Sequence, residues 1–164
     1  VIREDYAIAL GLLAVKPMHG YDLRNAFQAL FPDDKPPAYG QLYRIIARLA
    51  KMKALASQTI GRDQGPDRLQ YKATEEGRSM LDKWLNMPFV PQDDMASLPK
   101  RIVLGLHCGK PTSWALGRID EAEEIVLQRS NELKADLGSS FRVFQNRALV
   151  QWLEFSRLHL DGSS

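Results

Sequence analysis

Cysteine is nearly missing from this chain: Cys108 is the only one in 164 residues. A lone thiol excludes an intrachain disulfide framework and fits a reducing compartment. Long apolar runs are missing too, so no membrane-spanning segment is expected. The opening stretch VIREDYAIALGLLAV has neither a basic leader nor a small-residue cleavage site. It reads as a first helix rather than an export signal, and a cytoplasmic protein is expected. Histidine is scarce, at three residues. His107 adjoins Cys108, but nothing nearby completes a zinc-module spacing, and His159 has no obvious chemical partner. No glycine-rich phosphate loop and no serine or cysteine nucleophile motif is present, so neither an enzyme nor a metal or other cofactor is expected. The acidic run Asp120, Glu121, Glu123 and Glu124 lies on a long helical stretch, where a solvated face accounts for it better than acid–base chemistry.

What remains is an ordinary globular composition, 45% apolar and 26% charged, sized for one compact domain or a small domain with a helical arm. The net charge of +2 says little, but its distribution says more. Between Gly40 and Lys72 lie Arg44, Arg48, Lys51, Lys53, Arg62, Arg68 and Lys72, against only Asp63 and Asp67. That local excess suits a polyanion, although a solvated basic face is also common.

The excess begins in Tyr39–Ala56, YGQLYRIIARLAKMKALA. Wound as a helix, this stretch puts Leu42, Ile45, Ile46, Leu49 and Met52 on one side and Gln41, Arg44, Arg48 and Lys51 on the other. An apolar back and such a front suit a helix that docks on a core and enters a DNA major groove. There Gln pairs with adenine, Arg with guanine, and Lys meets phosphate. The plainer reading is an amphipathic helix whose charges are merely solvated.

The surrounding chain favours the first reading. Asp5–Val15 predicts an apolar-rich helix, broken by Lys16-Pro17-Met18-His19-Gly20. Tyr21–Phe31 predicts a second, with Leu23, Ala26, Phe27 and Leu30 inward. Asp33-Asp34-Lys35-Pro36-Pro37 excludes continuous helix before the basic one. Ala56–Ile60 and Leu69–Ala73 read as strands around the turn-rich GRDQGPDR, which puts Arg62 and Arg68 near a hairpin tip. Thr74 is placed to cap a further helix, with Glu75 and Glu76 in its first turn and Leu81, Trp84 and Leu85 inward. Three helices, a hairpin and a helix make a winged helix-turn-helix, a mainly α fold with a two-stranded β-wing.

The segments LGLLAVKPMHGYDL, YGQLYRIIARL and YKATEEGR, in this order and spacing, resemble the PadR-like transcriptional regulators from about Tyr6 to Leu85. Pro17, His19, Gly20, Tyr21 and Leu23 match the opening segment, with His19 a structural helix-start residue. Gly40, Leu42, Tyr43, Arg44 and Leu49 match the recognition helix; Tyr71, Thr74, Glu75 and Gly77 match the strand-to-helix junction. The resemblance implies a dimeric DNA-binding protein that controls transcription. Three positions depart from the pattern. Gln41 replaces a small hydroxyl residue, Ala50 an acid, and Lys53 a glycine. Lysine resists the left-handed helix end that glycine permits, so the sequence leaves that end open.

Beyond Met87, prolines 88, 91 and 99 bracket a linker. The domains expected are 1–87 (DNA-binding), 88–99 (linker) and 100–164 (helical dimerisation arm). Ala96–His107 predicts a short helix. Thr112 is expected to cap a long one with Leu116, Ile119, Ala122, Val126, Leu133 and Leu137 as its seam. Gly138-Ser139-Ser140 is expected to interrupt before a last helix with two apolar faces. One carries Phe141, Phe144, Ala148, Trp152 and Phe155, the other Leu149, Leu153 and Leu160. A homodimer through these C-terminal helices covers the surplus; folding back on the first domain is the alternative. Trp114 and Trp152 could stack on a small aromatic effector, or simply pack.

The expected function is a transcriptional regulator, a repressor, acting as a homodimer on an inverted repeat in double-stranded DNA. Gln41 and Arg44 would read bases, and Tyr39, Tyr43 and Arg48 would hold the backbone, with Gly40 and Lys51 beside them. Arg62 and Arg68 would bring the wing to the minor groove or a phosphate. An activator, or an interaction module working with a second regulator, is the competing reading.

Overall fold

The computed structural model describes residues 2–60, 68–91, 95–132 and 137–161, with side chains for all of these except 60, 68, 130–132, 137–144 and 161. Seven helices and one two-stranded antiparallel sheet make up the described residues. The chain divides into two compact units, Val1–Met87 with Val103–Gly109, and Pro88–Ile102 with Lys110–Ser164. Among the described residues no helix is long and apolar enough to cross a membrane.

The first unit runs α1 (Glu4–Val15), α2 (Gly20–Leu30), α3 (Tyr39–Lys51), β1 (Leu55–Ile60), β2 (Arg68–Ala73) and α4 (Glu75–Leu85). This is the winged helix-turn-helix order that the sequence predicts. Residues Ala7 to Leu13 of α1 are all buried, so α1 has no solvent stripe and serves as the core post. It packs against α2, α3, α4 and β2. Gly11 lets Leu104, from the 103–109 segment of the same unit, lie close. A Cβ there would come within 2.7 Å of Leu104 Cδ1.

The strands pair from Leu55↔Ala73 to Ile60↔Arg68. The turn between α1 and α2 joins this sheet. Met18 and Tyr71 exchange backbone hydrogen bonds of 3.0 and 2.9 Å. The Gln70 amide donates to the Pro17 carbonyl at 3.2 Å. His19 Nδ1 lies 2.8 Å from the Leu69 carbonyl. A carbonyl only accepts, so Nδ1 carries the proton, and His19 ties the start of α2 to the wing.

Helix α3 stops at Lys51, short of the Ala56 that the sequence expectation reaches, and Leu55 and Ala56 belong to β1. The cause is Lys53, whose φ of 59° is left-handed. Around it Ala54 N–H bonds Leu49 C=O and Lys53 N–H bonds Ala50 C=O, both at 2.9 Å. These are the two bonds of a Schellman end, and fully buried Leu49 and Ala54 supply its apolar contact. Lysine therefore adopts the conformation that it resists, held there by the packing of its neighbours. Lys53→Gly should raise unfolding stability by about 1 kcal/mol, the relief of a left-handed side chain less the added chain entropy of glycine. Urea denaturation checks this, and an unchanged or lower midpoint would contradict it.

The second unit holds the start of α5 (Ser97–His107), then α6 (Thr112–Glu132) and α7 (Leu137–Asp161). Thr112 is already helical, and Pro111 takes the cap position. Its carbonyl accepts from Trp114 N–H at 2.9 Å. Ala115, Ile119, Ala122 and Val126 of α6 are buried, as are Leu149 and Leu153 of α7, so one face of each helix fills the seam between them. Across this seam Arg157 pairs with Asp120 and, at 2.8 Å, with Glu123. These bonds, to Asp120 first and Glu123 second, hold its guanidinium further above its ordinary pKa. Leu137 falls on α7 rather than on the long helix, and Gly138-Ser139-Ser140 lie inside the first turn of α7. Small polar residues are tolerated where amides still lack helical partners, so they do not break the helix. Leu133, also placed in the seam by the sequence, lies outside the described residues.

Candidate nucleic-acid interface

Helix α3 buries Leu42, Ile45, Ile46 and Leu49 and exposes Tyr39, Gly40, Gln41, Tyr43, Arg44, Arg48 and Lys51. Every α3 residue singled out for DNA therefore faces solvent. No acid lies on this helix, so Arg44, Arg48 and Lys51 are not offset along it. Met52, expected on the buried stripe, is half-buried and caps the C-terminus. Arg44 Nε donates to the Gly40 carbonyl one turn back at 3.1 Å, so its guanidinium lies along the helix towards the N-terminus. The bond is exposed, and giving it up for a base edge costs roughly 0.5–1.5 kcal/mol at most.

The entry to α3 is built by residues that the sequence did not single out for DNA. Arg24 Nε donates to the Pro37 carbonyl at 3.2 Å, and its guanidinium carbon lies 5.0 Å from the Tyr39 ring centroid. Tyr21 stacks on Tyr39 at 5.8 Å between centroids, with 12° between planes. Tyr21 and Arg24 are three apart on α2 and off its inward stripe, a spacing that puts them side by side. That signal was available; what pairs them with Tyr39 is tertiary. Ala38 caps α3 without a side-chain bond. The first amides of α3 therefore have no side-chain acceptor at the cap, the condition under which a helix start attracts anions.

Tyr43 sits against Gly20, where a Cβ would lie 3.0 Å from its Cε1. Beside it opens a groove of about 620 Å³ lined by His19, Gly20, Tyr21, Asp22, Tyr43, Leu69 and Tyr71. Burial, and then the neighbouring Tyr43, push the Tyr71 phenol above its ordinary pKa of 10.0. Both effects penalise the phenolate, so Tyr71 stays a neutral hydroxyl.

The exit of α3 is clamped from α4. The Thr74 hydroxyl donates to the Lys53 carbonyl at 2.7 Å and accepts from Gly77 N–H at 3.1 Å. Thr74 N–H donates to the Ala54 carbonyl at 3.0 Å. Thr74 is thus the cap that the sequence predicts, and it fastens the end of α3 as well.

The wing is placed only in part. Arg62 lies outside the described residues, and Arg68 is described only as the backbone that opens β2. In the second unit Trp114 is in the first turn of α6 and Trp152 is midway along α7, both half-buried. The Arg157 pairing puts Trp152 level with Val126, about a dozen residues or ~18 Å along the axis from Trp114. One small molecule cannot touch both within a single chain. Among the described residues no group of three or more His, Cys, Asp or Glu could hold a metal ion.

The family model for the transcriptional regulator PadR-like family matches residues 9–83. A PadR-like transcription factor from Bacteroides fragilis is 31% identical over 49% of this chain and 74% of its own, with a TM-score of 0.41. Bacillus subtilis PadR in complex with operator DNA is 15% identical over 96% of this chain and 95% of its own, at a TM-score of 0.45. The same protein in complex with p-coumaric acid is 18% identical over 96% and 94%, at 0.39. No curated protein matches the chain.

Proposed function

The chain belongs to the PadR-like family of transcriptional regulators, a DNA-binding family, and we propose that it acts in the cytoplasm as a homodimeric repressor on an inverted-repeat operator. The observation that carries this reading is the front of α3: Gln41, Arg44, Arg48 and Lys51 are exposed on a helix without acids whose back is buried in the core. Gln41 and Arg44 read base edges. Tyr39, Tyr43, Arg48 and Lys51 hold phosphates, the bare Gly40 lets the backbone come close, and Arg62 and Arg68 carry the wing to the minor groove or a phosphate.

Dimerisation is supported by apolar side chains left outside the α6–α7 seam: Leu127, Phe155 and Leu158 are exposed, the last two by 67% and 74%. A two-fold pair sets two α3 helices about 34 Å apart, one turn of duplex. The test is a gel shift on the DNA upstream of the protein's own gene, with and without a neighbouring regulator. A retarded band with this protein alone supports the proposal; a band that needs the second regulator overturns it in favour of the interaction-module reading.

Arg24 supports DNA binding by orienting Tyr39. Arg24→Met keeps the stem and removes the charge. Operator affinity should fall about three- to tenfold, the size of a partly exposed cation–π contact, with little change in melting temperature. Fluorescence anisotropy reads the first and calorimetry the second; unchanged affinity would deny Arg24 this role.

Ligand response is the finer part of the proposal. Trp114 of one protomer and Trp152 of the other sandwich a planar aromatic effector across the dimer interface. A panel of such compounds should quench tryptophan fluorescence in the wild type and not in the W114F/W152F variant; equal responses would remove the site.

A further inference from the structure

The C-terminus of α3 borders a second cavity, on a different set of residues from the groove beside Tyr43. Its volume is about 300 Å³, and Ile2, Met52, Met80, Lys83, Trp84 and Met87 line it. All of these residues belong to the first unit. Two features fix its chemistry. Three of the six lining residues are methionines, which form an apolar wall that reshapes around its contents. Lys83 is exposed and is the only charged residue of the lining, so the cavity is apolar with one cationic side chain at its border and no carboxylate among the lining residues. Apolar cavities of about 300 Å³ with one or two polar groups are the common form of small-molecule sites.

We propose that this cavity binds a medium-chain aliphatic carboxylate, with the chain among the thioethers of Met52, Met80 and Met87 and the head group on Lys83. A flexible chain suits it better than a flat ring. Trp84 is 95% buried and has little of its ring face to offer for stacking, while the methionines supply methyl and thioether surface. Met52 caps α3 immediately before the left-handed Lys53, so an occupant rests on the end of the recognition helix.

The chain has five methionines, and the other two, Met18 and Met95, are outside the lining, which makes the test internally controlled. The full chain, labelled with 13C at the methionine methyls, is titrated with decanoate below its micelle concentration and, separately, with decanol. The methyls of Met52, Met80 and Met87 should shift along one saturable curve while those of Met18 and Met95 stay still. Lys83→Gln, at an exposed site, should weaken decanoate about tenfold, the loss of one charge-assisted bond, and leave decanol unchanged. No saturable shift, parallel shifts of all five methyls, or equal weakening of acid and alcohol would each overturn the proposal. The readout contains no DNA, so its outcome is separate from that of the operator experiments.

Discussion

Gly77→Ala is expected to be the most damaging single-methyl change in the first unit, lowering stability by about 3 kcal/mol or more, at or beyond the upper end for overpacking. The added Cβ would press into the carbonyl oxygen of Ala54 and lie 3.0 Å from both the carbonyl carbon and Leu10 Cδ2. None of these atoms gives way easily. Leu10 and Ala54 are fully buried, and the Ala54 carbonyl already accepts from Thr74 N–H. The Ala54 amide closes the Schellman end of α3, so moving that backbone also moves the end of that helix. Gly117 is the control. It lies within α6, and a Cβ there meets nothing within 4 Å. Gly117→Ala should therefore stabilise by about 0.5–1 kcal/mol through helix propensity alone. Denaturant melts of both variants measure the difference. Equal and small effects would mean that α4 and the end of α3 are not in contact as described.

Arg44→Ala should weaken binding to the operator by about 1–3 kcal/mol, roughly five- to 150-fold, and leave binding to random duplex nearly unchanged. The asymmetry follows from the side chain's position. Arg44 is exposed near the middle of α3 and donates to the exposed Gly40 carbonyl one turn back, so its removal leaves no buried group unpaired among the described residues. The loss should therefore appear in recognition and not in folding. Arg48→Ala, one turn on, should weaken both duplexes alike and reduce the salt slope by about 0.9, one phosphate contact. Anisotropy titrations at several salt concentrations separate the two. Equal loss of Arg44→Ala on cognate and random DNA would make Arg44 a phosphate contact only.

The fold was largely legible because its signals are local. The buried stripe of α3, the prolines before it, the turn-rich segment between the strands and Thr74 ahead of two glutamates each name a boundary within a few residues. The end of α3 was not legible. The sequence offers lysine where a glycine would signal the stop, and the left-handed turn at Lys53 comes from Leu49, Ala54 and Thr74 acting together. The start of α7 was hidden for a related reason. Gly138-Ser139-Ser140 has the composition of a break but lies where a helix accepts it. In the candidate site, the outward face of α3 followed from periodicity. The part played by Arg24 and Tyr21 did not, since their partner Tyr39 is on another helix and only packing joins them. The cavity behind Met52 was equally hidden, because Ile2, Met52 and the α4 residues are distant in sequence.

The central claim is that the exposed face of α3, presented twice, reads a specific sequence on one duplex. Selection of bound fragments from a random pool of duplex DNA tests it most directly. The account predicts enrichment of an inverted repeat whose half-sites are centred about one helical turn, or ~10 base pairs, apart. A bound fraction no different in sequence from the starting pool, or one enriched in a single unrepeated half-site, would contradict it.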